Sequence, residues 1–294
     1  MKKIVVAPDS FKGSLTSAEV ADAVERGIKD VFPQCNVVKA GVADGGEGTV
    51  EAIVKAVGGD MYVASVADPL GRPVKAAYGI VRSGGVKTAV MEMSAASGLP
   101  LLLPDELNPW ITSTYGTGEM ISDALNRGCR KFLVGIGGSA TNDAGTGMLS
   151  ALGVRFLDSS GQRLKGCGRD LEAIARIDMS SLMPAARESE FIVACDVNTP
   201  FCGPDGAARV FAPQKGADPQ TAEALDRGMR SFARVIAGQF QTDIVPLSGA
   251  GAAGGLGGAF KAFLNARLTA GIEMVLDAIA FDSLLEGADL VITG

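Results

Sequence analysis

The chain has 294 residues, 47% hydrophobic and 20% charged, with a formal net charge of −6. That length supports two domains around a large core, and the composition excludes a disordered chain. The acidic balance, with no Lys/Arg run longer than two residues, argues against a nucleic-acid surface.

Taken in order, Ile4–Ala7 reads as a short buried strand, not a signal peptide, because Pro8 and Asp9 end the apolar run at once. Thr16-Ser17-Ala18-Glu19 is a capping-box pattern opening a helix with an apolar face of Val20, Val24, Ile28 and Val31. A second strand is expected at 36–42 and a second helix at 49–57, stopped by Gly58-Gly59. This βαβα start predicts a parallel sheet with ligands at the carboxyl ends of its strands. From Asp60 the texture changes to consecutive strands at 61–67, 74–82 and 86–93, the mark of a mixed domain. A helix at 117–126, strands at 131–136 and 191–196, and a long helix from Asp218-Pro219 to about Gln239 follow. An amphipathic stretch runs to Leu268, and 290–293 reads as a returning buried strand. The chain then stops at Gly294, and the expectation is a chain cut short of a complete first domain.

The complete lack of histidine removes Ser–His–Asp, Cys–His and histidine-ligated metal chemistry. Proton transfer must then use Asp, Glu, Lys, Tyr or water, and any metal is expected to be hard and oxygen-ligated, Mg²⁺ before Zn²⁺. Cys35, Cys129, Cys167, Cys195 and Cys202 form no C-x-x-C pair and are expected as reduced thiols of a cytoplasmic protein. No apolar run reaches the roughly 18 residues that cross a bilayer.

Neither a Walker A motif nor an H-R-D loop occurs. The best phosphate-loop candidate is Gly135–Gly145, a glycine-rich turn between a buried strand and a helix. In it Gly137, Gly138, Ser139 and Asn142 are candidate phosphate contacts and Asp143 a candidate metal ligand; a tight capped turn explains the same pattern. Asp9–Ser14 offers Lys12 as a cation for phosphate or carboxylate, with Ser10 and Ser14 as donors; a solvated turn is the alternative. Asp44-Gly45-Gly46-Glu47-Gly48 sets two carboxylates at a strand end, for Mg²⁺, a substrate hydroxyl or a plain acidic turn. Asp196 and Asn198 stand at another strand tip, suited to metal ligation, hydroxyl activation or capping. Arg72 could fork onto a carboxylate or sit exposed in its hairpin. Gly249–Gly254 matches G-x-G-x-x-G; dinucleotide binding there, as in an oxidoreductase, is set against close helix packing.

The segments Ala7–Ser14, Ala43–Thr49, Gly135–Gly145, Cys195–Pro200 and Phe211–Ala217, in this order, resemble the type I glycerate kinase family. The resemblance implies an α/β protein of two domains. One is Rossmann-like (flavodoxin-like), built from residues 1–62 plus 288–294; the other is a mixed α/β domain inserted at 63–287. It also implies ATP- and Mg²⁺-dependent phosphorylation of D-glycerate, usually to 2-phosphoglycerate, in organic-acid catabolism. No nucleic-acid or membrane partner is expected, and a homodimer is. Family members continue past the Ile-Thr-Gly stretch, which ends this chain. On this reading Asp196 or Asp44 accepts the hydroxyl proton, and Gly137, Gly138, Ser139 and Asn142 cradle phosphate. Glu47 or Asp143 helps hold Mg²⁺. Lys12 and Arg72 neutralise the substrate carboxylate or the moving phosphoryl group, and Ser10, Ser14 and Asn198 complete substrate binding. A fragment that binds nucleotide without turnover is the non-enzymatic alternative.

Overall fold

The computed structural model describes residues 1–11, 13–83 and 85–294. The first part runs β1 (Lys3–Ala7), α1 (Ser17–Val31), β2 (Asn36–Lys39) and α2 (Thr49–Val57). Thr16 and Glu19 close the capping box of α1, satisfying backbone donors that a helix start leaves open. Three strands follow, β3 (Gly59–Ala67), β4 (Pro73–Ser83) and β5 (Val86–Glu92), then α3 (Ser94–Ser97), α4 (Tyr115–Asn126), β6 (Lys131–Gly135) and α5 (Thr146–Ala151). The next elements are β7 (Arg155–Leu157), β8 (Arg176–Asp178), α6 (Pro184–Arg187), β9 (Glu190–Ala194) and α7 (Ala207–Phe211). Helix α8 (Pro219–Phe240) starts at an Asp218 cap, whose carboxylate accepts from Thr221 N. The chain closes with α9 (Ala252–Leu264), β10 (Arg267–Thr269), α10 (Gly271–Ala278), α11 (Phe281–Leu285) and β11 (Leu290–Thr293).

The strands form an α/β structure with two main sheets. One is parallel, in the order β11-β1-β2, so that both ends of the sequence pair on the central β1. The other has the order β10-β9-β6-β5-β4-β3, parallel from β10 to β5 and antiparallel across β5-β4-β3. Strands β7 and β8 make a small antiparallel pair.

Strand β6, Lys-Phe-Leu-Val-Gly, is apolar on both faces, as a central parallel strand covered on both sides requires. Phe132 and Val134 join the large core with Phe191, Phe232 and Phe260, while Leu133 faces the opposite layer. That layer comprises Val50 and Ile53 of α2 and Met274 and Val275 of α10, and it also takes in Ala7, Ala40 and Val42 beside the parallel sheet. Helices α2 and α10 thereby join the two sheets through one apolar layer.

Several expectations shift. Strand β2 ends at Lys39, not at residue 42, although Ala40 and Val42 still donate to Val6 O and Pro8 O. Val31 overshoots the buried stripe of α1 and is 69% exposed. Strands β7, β8 and β10 are three residues each, too short to show a period. Strand β11 is an edge, and its Leu290 and Val291 are exposed rather than buried.

Phe132 is fully buried, with its ring 4.7 Å from that of Phe191, which lies 5.8 Å from Phe260. Phe132→Ala is expected to destabilise the chain by about 3–5 kcal/mol, read as a lower denaturant midpoint at an unchanged slope.

Candidate active site

The carboxyl ends of β2, β6 and β9 open into loops 40–48, 136–145 and 195–206, and these meet through glycines. A methyl group added at Gly135 would stand 2.3 Å from Gly45 O, and one at Gly271 would stand 1.7 Å from Asp44 O. Gly45 itself has φ +88° and lies against Ala194 and Gly271. Only residues without a Cβ permit this approach. It brings Asp44, at the end of the first β-α-β segment, beside the tips of β6 and β9.

The result is a cleft of about 270 Å³ lined by Asp44, Gly137, Gly138, Ser139, Asp196 and Lys215, among others. Asp44 and Asp196 are exposed there. Asp44 accepts from Gly46 N at 2.9 Å, and Asp196 accepts from Gly271 N, the first residue of α10, at 2.9 Å. Each uses Oδ1, and the two Oδ2 atoms make no hydrogen bond to the described residues. Gly138 has φ +71° and turns the chain into Ser139. Ser139 is 6% exposed, and its hydroxyl accepts from Lys215 Nζ at 3.1 Å.

Lys215 lies in the Phe211–Ala217 segment, but its sequence pattern alone gives it no role. It is 2% exposed, and its ammonium also donates to Thr141 O at 2.6 Å. Burial pushes its pKa down to about 7, and Asp143 opposes the shift. A single cation in the otherwise uncharged Phe211–Ala217 segment is the available signal.

Ser10, Ser14 and Glu47 line a second cleft of about 810 Å³, between α1 and α2. Loop 44–48 is the shared wall: Asp44, Gly45 and Gly46 face the first cleft, Glu47 and Gly48 the second. Glu92, at the end of β5, also lines the second cleft, and sequence reading missed it. An acid closing an apolar strand was the cue. Helix α2 has no side-chain cap of its own; Glu92 Oε1 accepts from Val50 N at 3.2 Å instead. Burial, reinforced by the nearby carboxylates Glu51 and Glu47, lifts its pKa to about 7 against the hydrogen bond from Val50.

Other expected site residues have different uses. Asn142 is fully buried; its amide donates to Met229 Sδ at 3.2 Å and its carbonyl oxygen has no partner, so it faces the core rather than a phosphate. Asp143, expected to hold metal, is also fully buried. Its carboxylate accepts from Thr114 N at 2.7 Å, Thr114 Oγ1 at 2.8 Å, Gly145 N at 3.0 Å and Gly147 N at 3.2 Å. Those bonds pin the loop and the start of α5, and Asp143 lines neither cleft. Arg72 is tied to Asp68 and Glu106, each at 2.5 Å, and lines neither cleft. It braces the β3–β4 turn and is not free for a substrate carboxylate. Asn198 accepts from Ser248 Oγ at 2.8 Å, one residue beyond the cleft wall at Val197. Lys12 lies outside the described residues. The G-x-G-x-x-G match is a packing device: Gly254, φ +67°, sits where a methyl would be 2.2 Å from Thr141 O, inside a kink of α9. Among the described residues, no three His, Cys, Asp or Glu side chains form a group that could hold a metal ion, and no helix is long and apolar enough to cross a membrane.

The elevated pKa of Glu92 fixes the sign of a pH dependence. The native state takes up this proton near pH 7 and the unfolded chain near 4.5, so the native state holds more protons in between and loses stability as pH rises through that window. Glu92→Gln removes the charge and keeps an acceptor for Val50. It is expected to be about 1–3 kcal/mol more stable than the parent at pH 8, allowing for partial exposure, with the gap closing toward pH 4.5. Urea unfolding of both proteins across that range measures it.

Comparison with known proteins gives this cleft a context. The model of the glycerate kinase family matches residues 4–294. The glycerate kinase of Bacillus subtilis (strain 168) is 49% identical over 292 residues, covering 99% of this chain and 76% of that protein. The glycerate 2-kinase of Escherichia coli (strain K12) is 46% identical over 292 residues, again 99% and 76%. A crystal structure described as glycerate kinase 2 from Salmonella typhimurium LT2 superposes with a TM-score of 0.96 at 46% identity, covering 100% of this chain and 78% of that one. The chain therefore belongs to the glycerate kinase family.

Proposed function

We propose that this kinase transfers the terminal phosphoryl group of ATP to the 2-hydroxyl of D-glycerate, giving 2-phosphoglycerate, in cytoplasmic organic-acid catabolism. The observation that carries the reading is the convergence of Asp44, Asp196 and the Gly137–Ser139 turn on one cleft. Phosphoryl transfer needs positioning and charge neutralisation more than covalent chemistry, and in a histidine-free chain the exposed groups at this cleft suited to take up the proton are the carboxylates Asp44 and Asp196.

In this scheme the backbone N–H groups of the 137–139 turn bind the phosphates. The glycerate hydroxyl oxygen attacks the terminal phosphorus while the bridging P–O bond breaks and ADP leaves. The hydroxyl proton passes to the free oxygen of Asp196, whose other oxygen is held by Gly271 N. Magnesium bound with a nucleotide commonly uses one or two protein carboxylates plus phosphate oxygens. Asp44, with one oxygen unengaged, fits that part better than Asp143 in the core or Glu47 in the neighbouring cleft. The ion would neutralise charge on the phosphates. Ser10 and Ser14 line the adjoining cleft with Glu47 and remain, like Lys12, contacts to the acid proposed from the sequence alone. The two sheets are proposed as two domains, with the first boundary ahead of β3 rather than at residue 62, because β3 pairs with β4 from Gly59 onward; their approach would exclude water from the transfer.

Asp196→Asn is expected to lower kcat for D-glycerate by a factor of about 10² or more while KM stays within a few-fold, in a coupled ADP-release assay. Phosphorus NMR of the product distinguishes the 2- from the 3-phosphate. Unchanged turnover in a folded Asp196→Asn variant would remove this residue from the role of base.

A further inference from the structure

Lys215 presents an unusual state of charge. Its side chain is 2% exposed, and among the described residues no carboxylate lies within ion-pair distance of its ammonium. Two neutral oxygens, Ser139 Oγ and Thr141 O, accept from it. An ammonium carries three donors, so one stays unassigned. The buried Asp143 carboxylate acts on the Lys215 ammonium through space but is held by Thr114, Gly145 and Gly147 and makes no ion pair with it; burying a cation without a paired counter-charge is unfavourable. Lys215 nevertheless lines the cleft, and among the described residues it is the only cation that does; the charged neighbours there are Asp44 and Asp196.

The backbone holds it in that place. Pro213–Lys215 forms a single 3₁₀ turn after α7, and Gly216 follows at φ +95° with no room for a side chain against Leu107 O. Its two acceptors belong to the turn that contains Gly137 and Gly138. A ligand anion on that turn would therefore meet backbone N–H groups and the ammonium together. Such an anion would supply the direct ion pair that Asp143 does not make, and would offset the burial that lowers the pKa of this ammonium.

We propose that Lys215 receives the terminal phosphoryl group of the nucleotide donor from beneath the Gly137–Thr141 turn and neutralises it as it crosses to the acceptor. This rests on the kinase reading above, and Lys215 makes hydrogen bonds only, with no covalent step. It binds the group that moves, not the acid that receives it.

The test uses the full chain and its Lys215→Met and Lys215→Gln variants. Calorimetric titration with ADP and with the non-hydrolysable analogue AMP-PNP, both with Mg²⁺, isolates the terminal phosphate. Each folded variant is expected to bind AMP-PNP at least 10-fold more weakly than the parent and ADP within 3-fold. With D-glycerate, kcat is expected to fall 10²- to 10³-fold with KM for D-glycerate within 3-fold. Circular dichroism and melting establish folding, and the glutamine variant serves if the methionine variant fails to fold. Equal losses for both nucleotides, or none, overturn the proposal. So does a rise in KM for D-glycerate at preserved kcat, which would make Lys215 the carboxylate anchor. A parent chain that discriminates AMP-PNP from ADP through Lys215 but phosphorylates no glycerate would sink the substrate assignment and leave Lys215 as the phosphate anchor.

Discussion

Three glycines, Gly45, Gly135 and Gly271, let the main chains of separate segments meet with no side chain between them. At Gly271 even a methyl group would overlap Asp44 O, and at Gly135 it would overlap Gly45 O. The contact sets where Asp44 stands relative to the tips of β6 and β9. It also puts the start of α10 where Gly271 N can hold Asp196. A larger residue at any of these positions must shift a loop, and interiors packed this closely transmit such shifts rather than absorb them. The geometry of the cleft is therefore a property of backbone contact, and the polar side chains are added onto it.

That backbone frame has to serve a chain without imidazole. The carboxylates at the cleft are each steadied by one backbone N–H and keep one oxygen unengaged. The cation comes from within the protein, beneath the turn, where a surface lysine would be hydrated and mobile. Glu92 works differently: it gives an uncapped helix start an acceptor and links the start of α2 to the six-stranded sheet. Positive and negative groups thus occupy different depths around the same loops, which lets them act on one ligand without neutralising each other.

Much of this architecture is legible in the residues. The capping box at Thr16, the cap at Asp218 and the apolar run of β6 each specify a local structure through short-range physics, and those elements stand where the patterns put them. The loops with Asp44, Gly137 and Asp196 could be singled out because glycine and acid at strand ends are informative. What a linear pattern lacks is orientation. Asn142 and Asp143 sit in the same glycine-rich loop as Ser139, yet both are turned into the core, and Arg72 is claimed by Asp68 and Glu106, the latter far away in sequence. Lys215 and Gly271 matter through tertiary neighbours that no local period encodes.

The tether on Asp196 has a stereochemical consequence. With Oδ1 held by the first N–H of α10, one orientation of the carboxylate about its Cβ–Cγ bond is favoured, and its free oxygen then offers lone pairs over one sector of the cleft. A hydroxy acid and its mirror image can both place a carboxylate and a hydroxyl at two fixed points, and they then differ only in where the remaining substituents fall. Handedness would then be read at a third point, the wall of the cleft, and the tether on Asp196 would set only the direction from which the hydroxyl is met.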